Sequence, residues 1–445
     1  MGFLRSVLDR PGRDLVFIII GAVMVAAVVL TGEIRDTRSD PYASLLVSQS
    51  IVEHGTVKLD HYARSINFKH HGIRIINGHV YYWYPLGTPV FSVPFVAGAL
   101  ALGYDMRSDE SETQIAIAAL ISALVFVVLY LIARNYLPPL MSFALVGVSF
   151  LGSSLTSSMG TALWSNDYTT LFSALIILVL VLYESGRIKR PDPYLLGFLA
   201  FGAYLSKPTG AIAALLVFVY LLVKRKDLVI RYGAAFGLLF GLFVLFSYVE
   251  LGRVLPEYYD PRVMSGDFSW TSLEGVLLSP SRGVLVYSPF FVLSLFGGVF
   301  FFKGLGKNPL FWLALGWFGL QVFTVAKGPQ WWGGWCFGAR LMMEAVPSLV
   351  LLTVLVGREA LKSRKAVLRS ALMAGFLLFG AWAVFVNVKQ GLHNFFAADA
   401  FNKFPDINQY PEYLMDWRYP QFLADREMIV ERLWEIVGKG EFKGL

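Results

Sequence analysis

Apolar runs near twenty residues recur along the whole chain, at about 15–31, 86–103, 113–133, 139–156, 167–184, 193–206, 208–223, 229–250, 286–302, 309–326, 340–356 and 366–388. As helices, runs of that length match the hydrocarbon thickness of a bilayer. The residue balance agrees: 56% hydrophobic and 16% charged, where a soluble chain carries about a quarter charged residues. The expectation is an all-α polytopic membrane protein. A net charge of +7 is then the Lys/Arg excess of cytoplasmic loops, not a nucleic-acid signal. A single cysteine, Cys336, leaves no disulfide framework and no thiolate metal cluster. The basic stretch 1–14 precedes an apolar run without a small-residue cleavage site, which reads as a retained first span.

Positive charge fixes the topology. Arg5, Arg10 and Arg13 place the N-terminus inside, so the polar stretch 32–84 lies outside. If 86–103 crossed, the loops carrying Arg187, Lys189 and Arg190, Lys224 to Lys226, Lys303 and Lys307, and Arg358 to Lys365 would all be exterior. If it does not cross, all are cytoplasmic, as the positive-inside rule prefers. Pro85, Pro89 and Pro94 also suit a re-entrant or interfacial segment, here 85–104. About eleven crossings remain, with the tail 389–445 exterior and 1–388 forming one transmembrane module. No internal repeat supports an inverted-repeat transporter.

The first exterior loop reads as ordered. Residues 41–54 suit a helix along the membrane surface. Asn77-Gly78 between two apolar tetrads is the signature of a two-residue type I′ hairpin. Asp40, just before the surface helix, has two readings. It is a general base held ionised near a helix N-terminus, or a helix N-cap, and both can hold together. Asp36, Glu33 and Asp167 are the alternative acids. Lys207, Arg282 and Arg340 border the outer leaflet, where a basic side chain is costly unless it meets an anion or water; a lipid phosphate would satisfy them. Glu344, four residues after Arg340, offers local neutralisation instead. Trp331, Trp332 and Trp335 around paired glycines, with Tyr82, form either an interfacial belt or a wall for a sugar or acceptor. Five of six histidines fall in the first loop, without the spacing of a zinc site. A divalent cation (Mg or Mn) bridging an acid and a phosphate stays open.

Several segments together resemble the GT-C superfamily of membrane glycosyltransferases, in the style of prokaryotic relatives of protein O-mannosyltransferases and lipid A aminoarabinose transferases. Asp40-Pro41-Tyr42-Ala43 with Ser48 to Gly55 is similar to that family's acidic motif and its helix. Tyr82-Trp83-Tyr84-Pro85-Leu86-Gly87-Thr88-Pro89 is similar to its Y-x-x-P-P-G-x-P stretch, with Leu86 in place of a proline. Leu163 to Asp167, Ser206 to Gly210, 279–289 and 331–340 look like further family segments. The resemblance implies a GT-C-like bundle that transfers a sugar from a polyprenyl-phosphate donor to a glycan, lipid or protein acceptor on the exterior face. Asp40 takes the base role by its place in the motif. Many relatives follow this acid with a second one; Pro41 follows here, which speaks against a metal-bridging pair at this position.

The leading expectation is an inner-membrane glycosyltransferase of the cell envelope. It works by inverting displacement, with Asp40 as base and Arg340, Lys207 and Arg282 on the lipid phosphate. The alternatives are a polymerase or ligase using a lipid-pyrophosphate glycan, a lipid or solute transporter, and a scaffold. The aromatic tail after Val388 is either a packed lid or an acceptor-binding element.

Overall fold

The computed structural model describes residues 12–264 and 266–438; Arg5 and Arg10 lie outside the described residues. Each apolar run is helical. Helices α1 (Gly12–Thr31), α2 (Ser44–His54), α3 (Gly87–Ala101), α4 (Glu110–Arg134), α5 (Pro139–Leu151) and α6 (Ser165–Glu184) form the first half. The second half holds α7 (Pro193–Ser206), α8 (Ala211–Lys224), α9 (Lys226–Leu251), α10 (Phe290–Phe300), α11 (Pro309–Ala326), α12 (Val346–Lys362), α13 (Ala366–Val384) and, in the tail, α14 (Arg426–Gly438). Among the described residues, seven helices are long and apolar enough to span a bilayer, and five shorter apolar ones accompany them. The chain is an all-α multi-pass membrane protein.

The helices divide into an inner and an outer set. In α6 the apolar window is 89% buried, whereas in α9 it is 17% buried. A helix as apolar as α9 with that much free surface faces lipid rather than water. Packing between helices then depends on close approach, visible where a Cβ on Gly197 would sit 2.6 Å from that of Ala235.

The first two spans show the direction of the chain. Asp14 at the start of α1 accepts from Arg134 Nε at 2.7 Å and from Tyr130 at 2.7 Å near the end of α4. At the opposite end, Glu110, which opens α4, meets the loop that follows α1. The two helices are therefore antiparallel, and α3 between them starts and finishes on one side. It packs along α2, and just after it the N–H of Met106 donates to Gln49 Oε1 at 2.8 Å. Residues 85–104 thus return to the face they left.

The basic loops gather at the Arg134 end. Arg190 and Arg225 both approach Asp227, and Lys224 approaches Glu184. Arg358 lies over the Tyr136 ring and Lys365 over Phe300.

The first loop carries the only sheet among the described residues. Strands β1 (Ile73–Ile76) and β2 (His79–Tyr82) pair antiparallel, with Ile73 opposite Tyr82 and Ile76 opposite His79. Asn77 (φ 52°) and Gly78 (φ 82°) both take the positive φ that a type I′ turn requires.

Helices α7 and α8 are only 14 residues each, about 21 Å at 1.5 Å per residue, too short to cross the roughly 30 Å hydrocarbon core. The start of α3 and the turn Glu257–Tyr259 fill the space above their tip. A Cβ on Gly87 would come within 2.3 Å of Ser206 Cα, and Tyr259 donates to the Leu205 carbonyl. Lys207, at the tip, is consequently buried.

Candidate active site

The stretch after α1 is tied down by its main chain. Arg35 donates to the carbonyls of Val29, Leu30 and Gly160 at 2.9–3.0 Å, satisfying the last acceptors of α1. Asp36 N–H reaches Thr161 O at 2.8 Å, and a turn through Ser39 follows. This presents Asp40 at the mouth of the bundle with its side chain 31% exposed.

Asp40 is not the cap of the surface helix. That helix starts at Ser44, with Ala43 at its N-cap in the left-handed region (φ 67°). Its first donors go to Glu110, whose oxygens take the N–H groups of Ala43 and Leu45 at 3.0 Å. Relieved of that duty, Asp40 Oδ1 accepts from the Tyr84 hydroxyl at 2.7 Å and faces His71 Nε2 at 3.3 Å. Oδ2 faces Arg340 Nη1 at 3.5 Å, and Tyr82 donates to the Asp40 carbonyl at 2.8 Å. Burial pushes the carboxyl up, but the His71 hydrogen bond, the Arg340 charge and the Tyr84 hydroxyl together outweigh it and hold Asp40 at about 2.

Arg340 stacks on the Trp164 indole, 4.2 Å from the ring centroid, and donates to Gly333 O at 2.8 Å. Its Nε is buried without a partner, an orphan donor that an incoming anion could satisfy. The i,i+4 pairing with Glu344 does not form. Glu344 instead takes Lys207 Nζ at 2.6 Å and the Thr209 hydroxyl. Lys207 is thus spent on an internal ion pair.

Arg282 is committed elsewhere. Its donors go to the carbonyls of Ser281, Trp332 and Gly334 and to Gln421 Oε1 and Asn402 Oδ1. All five guanidinium N–H groups are used, so it ties the tail to the bundle rather than waiting for a phosphate.

Of the alternative acids, only Asp36 joins the site. Its main-chain N–H is held by the Thr161 carbonyl, and burial pushes its carboxyl up to about 6 against the opposing charge of Arg340. Glu33 is exposed and reaches His393 at 3.2 Å. Asp167 caps α6 by accepting from the Trp164 N–H at 3.2 Å. Trp164 is further fixed by its indole N–H to Ser158 O and the Thr161 hydroxyl. Asp167 therefore acts by setting the platform beneath Arg340.

The tryptophan cluster faces the tail. Trp331 packs on Gly275, where a Cβ would lie 2.3 Å from the ring. Trp332 and Trp335 donate to Asn408 and Asp406 at 3.0 and 2.8 Å. The aromatic wall beside Asp40 is instead Tyr82, Tyr84 and Tyr258, with Tyr84 and Tyr258 centroids 5.4 Å apart. Behind that wall lies a small cleft, of about 40 Å³ and open to solvent, lined among others by Arg74, Trp83, Tyr84, Arg253 and Glu257.

Among the described residues, no three His, Cys, Asp or Glu side chains group to hold a metal ion. Asp40 Oδ2 already faces a guanidinium, where a bridging cation would have to sit. A cation bridging that oxygen to a phosphate would therefore sit against the like charge of Arg340.

Residues 90–249 match the model of a family described as dolichyl-phosphate-mannose-protein mannosyltransferase. That segment runs from α3 to the end of α9 and contains Lys207 and Asp167, but neither Asp40 nor Arg340. Among solved structures, the apo oligosaccharyltransferase of Archaeoglobus fulgidus superposes with TM-score 0.55 at 11% identity, over 90% of this chain and 60% of that one. The same archaeal enzyme tethered to an acceptor peptide containing the NVT sequon gives TM-score 0.53 at 12% identity, over 91% and 59%. The archaeal oligosaccharyltransferase AglB with an inhibitory peptide and a dolichol-phosphate gives the same values, TM-score 0.53 and 12% identity over 91% and 59%. The chain therefore spans about 60% of the length of the enzymes it matches. No curated protein matches. The resemblance to GT-C membrane glycosyltransferases is borne out, and the fold is theirs.

Proposed function

We propose that this protein is a GT-C glycosyltransferase of the cytoplasmic membrane that moves a sugar from a polyprenyl-phosphate carrier to an acceptor hydroxyl on the exterior face. The observation that carries it is the convergence of Asp40 and Arg340, 300 positions apart in sequence, with Nη1 3.5 Å from Oδ2. A carboxylate and an anion-binding guanidinium side by side are what a single displacement requires. The acid draws the proton from the attacking hydroxyl, and the arginine offsets the charge that grows on the departing phosphate. One in-line step inverts the anomeric centre. The clustering of basic loops at the far end of the bundle supports an exterior site.

The polymerase or ligase alternative asks for a lipid pyrophosphate, which carries more charge. With Lys207 paired to Glu344 and Arg282 saturated, Arg340 is the one of these three bases whose side chain has a buried donor to spare. That favours a monophosphate. Residues 1–388 then form the catalytic module, and the acceptor approaches the tyrosine side of Asp40.

The test is turnover of a short-chain polyprenyl-phosphate mannose or glucose by the detergent-purified protein. Asp40→Asn is expected to keep donor binding and lose release of polyprenyl phosphate by about 10²-fold or more. Arg340→Ala is expected to weaken donor binding. Normal turnover by Asp40→Asn would remove Asp40 from the mechanism.

A further inference from the structure

Helices α8 and α11 run side by side but do not close along their whole length. They touch at Leu216, where a Cβ on Gly316 would lie 3.5 Å from Leu216 Cδ2. Toward Lys224 and Pro309 a cavity of about 300 Å³ opens between them, at the lower end of the range for small-ligand sites. Its walls are Leu216, Val219 and Val223 on one face of α8 and Pro309, Trp312 and Leu313 on one face of α11. Val219, Val223 and Trp312 are exposed, so the cavity is a groove open to the surrounding lipid. The polar groups along it are already used. Tyr220 donates its hydroxyl to Glu184 at 2.6 Å, and the Trp312 indole donates to the Gly306 carbonyl at 2.9 Å. What remains is a hydrocarbon-lined slot with a lysine at one end.

That end belongs to the side of the bundle where the basic loops gather, opposite Asp40. Lys224 lines the groove, is 39% exposed and comes no nearer to Glu184 than 4.0 Å. Lys226 and Lys307, two residues from Lys224 and from Pro309, are exposed and make no ion pair among the described residues. The nearby acids are answered, Asp227 by Arg225 at 2.8 Å and Glu184 by Tyr220. The mouth of the groove therefore carries positive charge in excess.

We propose that this groove holds one anionic glycerophospholipid of the leaflet opposite Asp40, with an acyl chain between α8 and α11 and the headgroup phosphate at Lys224 and Lys307. From Leu216 to Lys224 the wall is about 12 Å long at 1.5 Å per residue, so it takes the part of the chain next to the headgroup. A zwitterionic lipid offers the same chain but sets its own ammonium beside the lysines. An anionic headgroup brings no such repulsion. Charge selects the lipid, and the groove fixes where it sits. The bound chain bridges the short α8 to the spanning helix α11.

The experiment is native mass spectrometry of the full-length detergent-purified protein, with dioleoyl phosphatidylglycerol or dioleoyl phosphatidylcholine added at equal concentration. Wild type is expected to retain one phosphatidylglycerol per chain, about tenfold more tightly than phosphatidylcholine. Lys224→Gln with Lys307→Gln is expected to bring the two lipids level. Lys362→Gln with Lys365→Gln, the same charge change outside the groove lining, is expected to leave the preference intact. Val219→Trp, which fills the groove, is expected to lose the tightly held lipid and the rise in melting temperature that phosphatidylglycerol gives wild type. Should Val219→Trp fail to fold, Val223→Trp, at the 71% exposed edge, reads the same loss. Equal retention of the two lipids by wild type overturns the proposal. So does a preference that survives in the filled groove or in the Lys224 and Lys307 variant, or one lost equally in the Lys362 and Lys365 control. None of these outcomes bears on the transfer reaction, which is read by turnover alone.

Discussion

Asp36 and Asp40 stand four positions apart with opposite electrostatic fates. Asp40 is held near 2 and Asp36 lifted to about 6, against roughly 3.9 in an unfolded chain. For Asp36 the folded value lies above the unfolded one, so ionisation opposes folding. That penalty is absent below about pH 4, grows as pH rises to 6, and is fully present above it. Asp36→Asn is therefore expected to raise the melting temperature at pH 8 and to leave it nearly unchanged at pH 4, as thermal unfolding in detergent would report. Trp164 offers a second residue-scale test. Trp164→Ala removes the ring beneath Arg340 and is expected to weaken donor binding roughly as Arg340→Ala does, while Trp164→Phe keeps most of it. Asp40 and Arg340 were legible in the sequence because each sits beside a helix end in a polar loop. Trp164 was visible only as part of a short motif, since nothing local tells an interfacial indole from a platform for an arginine 176 positions away.

At the scale of elements, the short α7–α8 pair decides how the site is closed from below. It leaves a recess that α3 and the Glu257–Tyr259 turn occupy, and it draws Lys207 inward to Glu344. Breaking a buried pair strands the remaining charge, at a cost of about 3–5 kcal/mol. Lys207→Met is expected to lower yield and melting temperature sharply, and Lys207→Met with Glu344→Gln to recover much of the loss. Recovery of stability without recovery of activity would give Lys207 a role beyond packing. The non-crossing of α3 was legible from prolines and from the charge of loops far away. The start of α2 was not, because its cap comes from Glu110, 67 positions from Ala43, and the local Asp40-Pro41 pattern mimics a helix start.

At the scale of the whole molecule, the tail is part of the bundle. Gln421 donates to the carbonyls of Cys336 and Ala397 and accepts from Arg282, which also binds Asn402. This favours a packed lid over a free acceptor-binding arm. Gln421→Ala is expected to destabilise the protein by orphaning buried donors, about 1–3 kcal/mol each, and to leave the pH profile of turnover in shape. The aromatic richness of the tail was plain from sequence; its partners were not, since they lie far away along the chain, at Glu33 and Ile34 and in the loops around 280 and 335.

The distance along the chain between Asp40 and Arg340 has a consequence for how the protein is made. The first loop leaves the translocation channel early, while its guanidinium partner follows only after ten of the twelve apolar runs have been inserted. Until then Asp40 stands without Arg340, and Trp164 has nothing to support. On the proposed mechanism, a nascent chain that stops short of position 340 therefore lacks its phosphate grip, however much of the bundle has already been inserted.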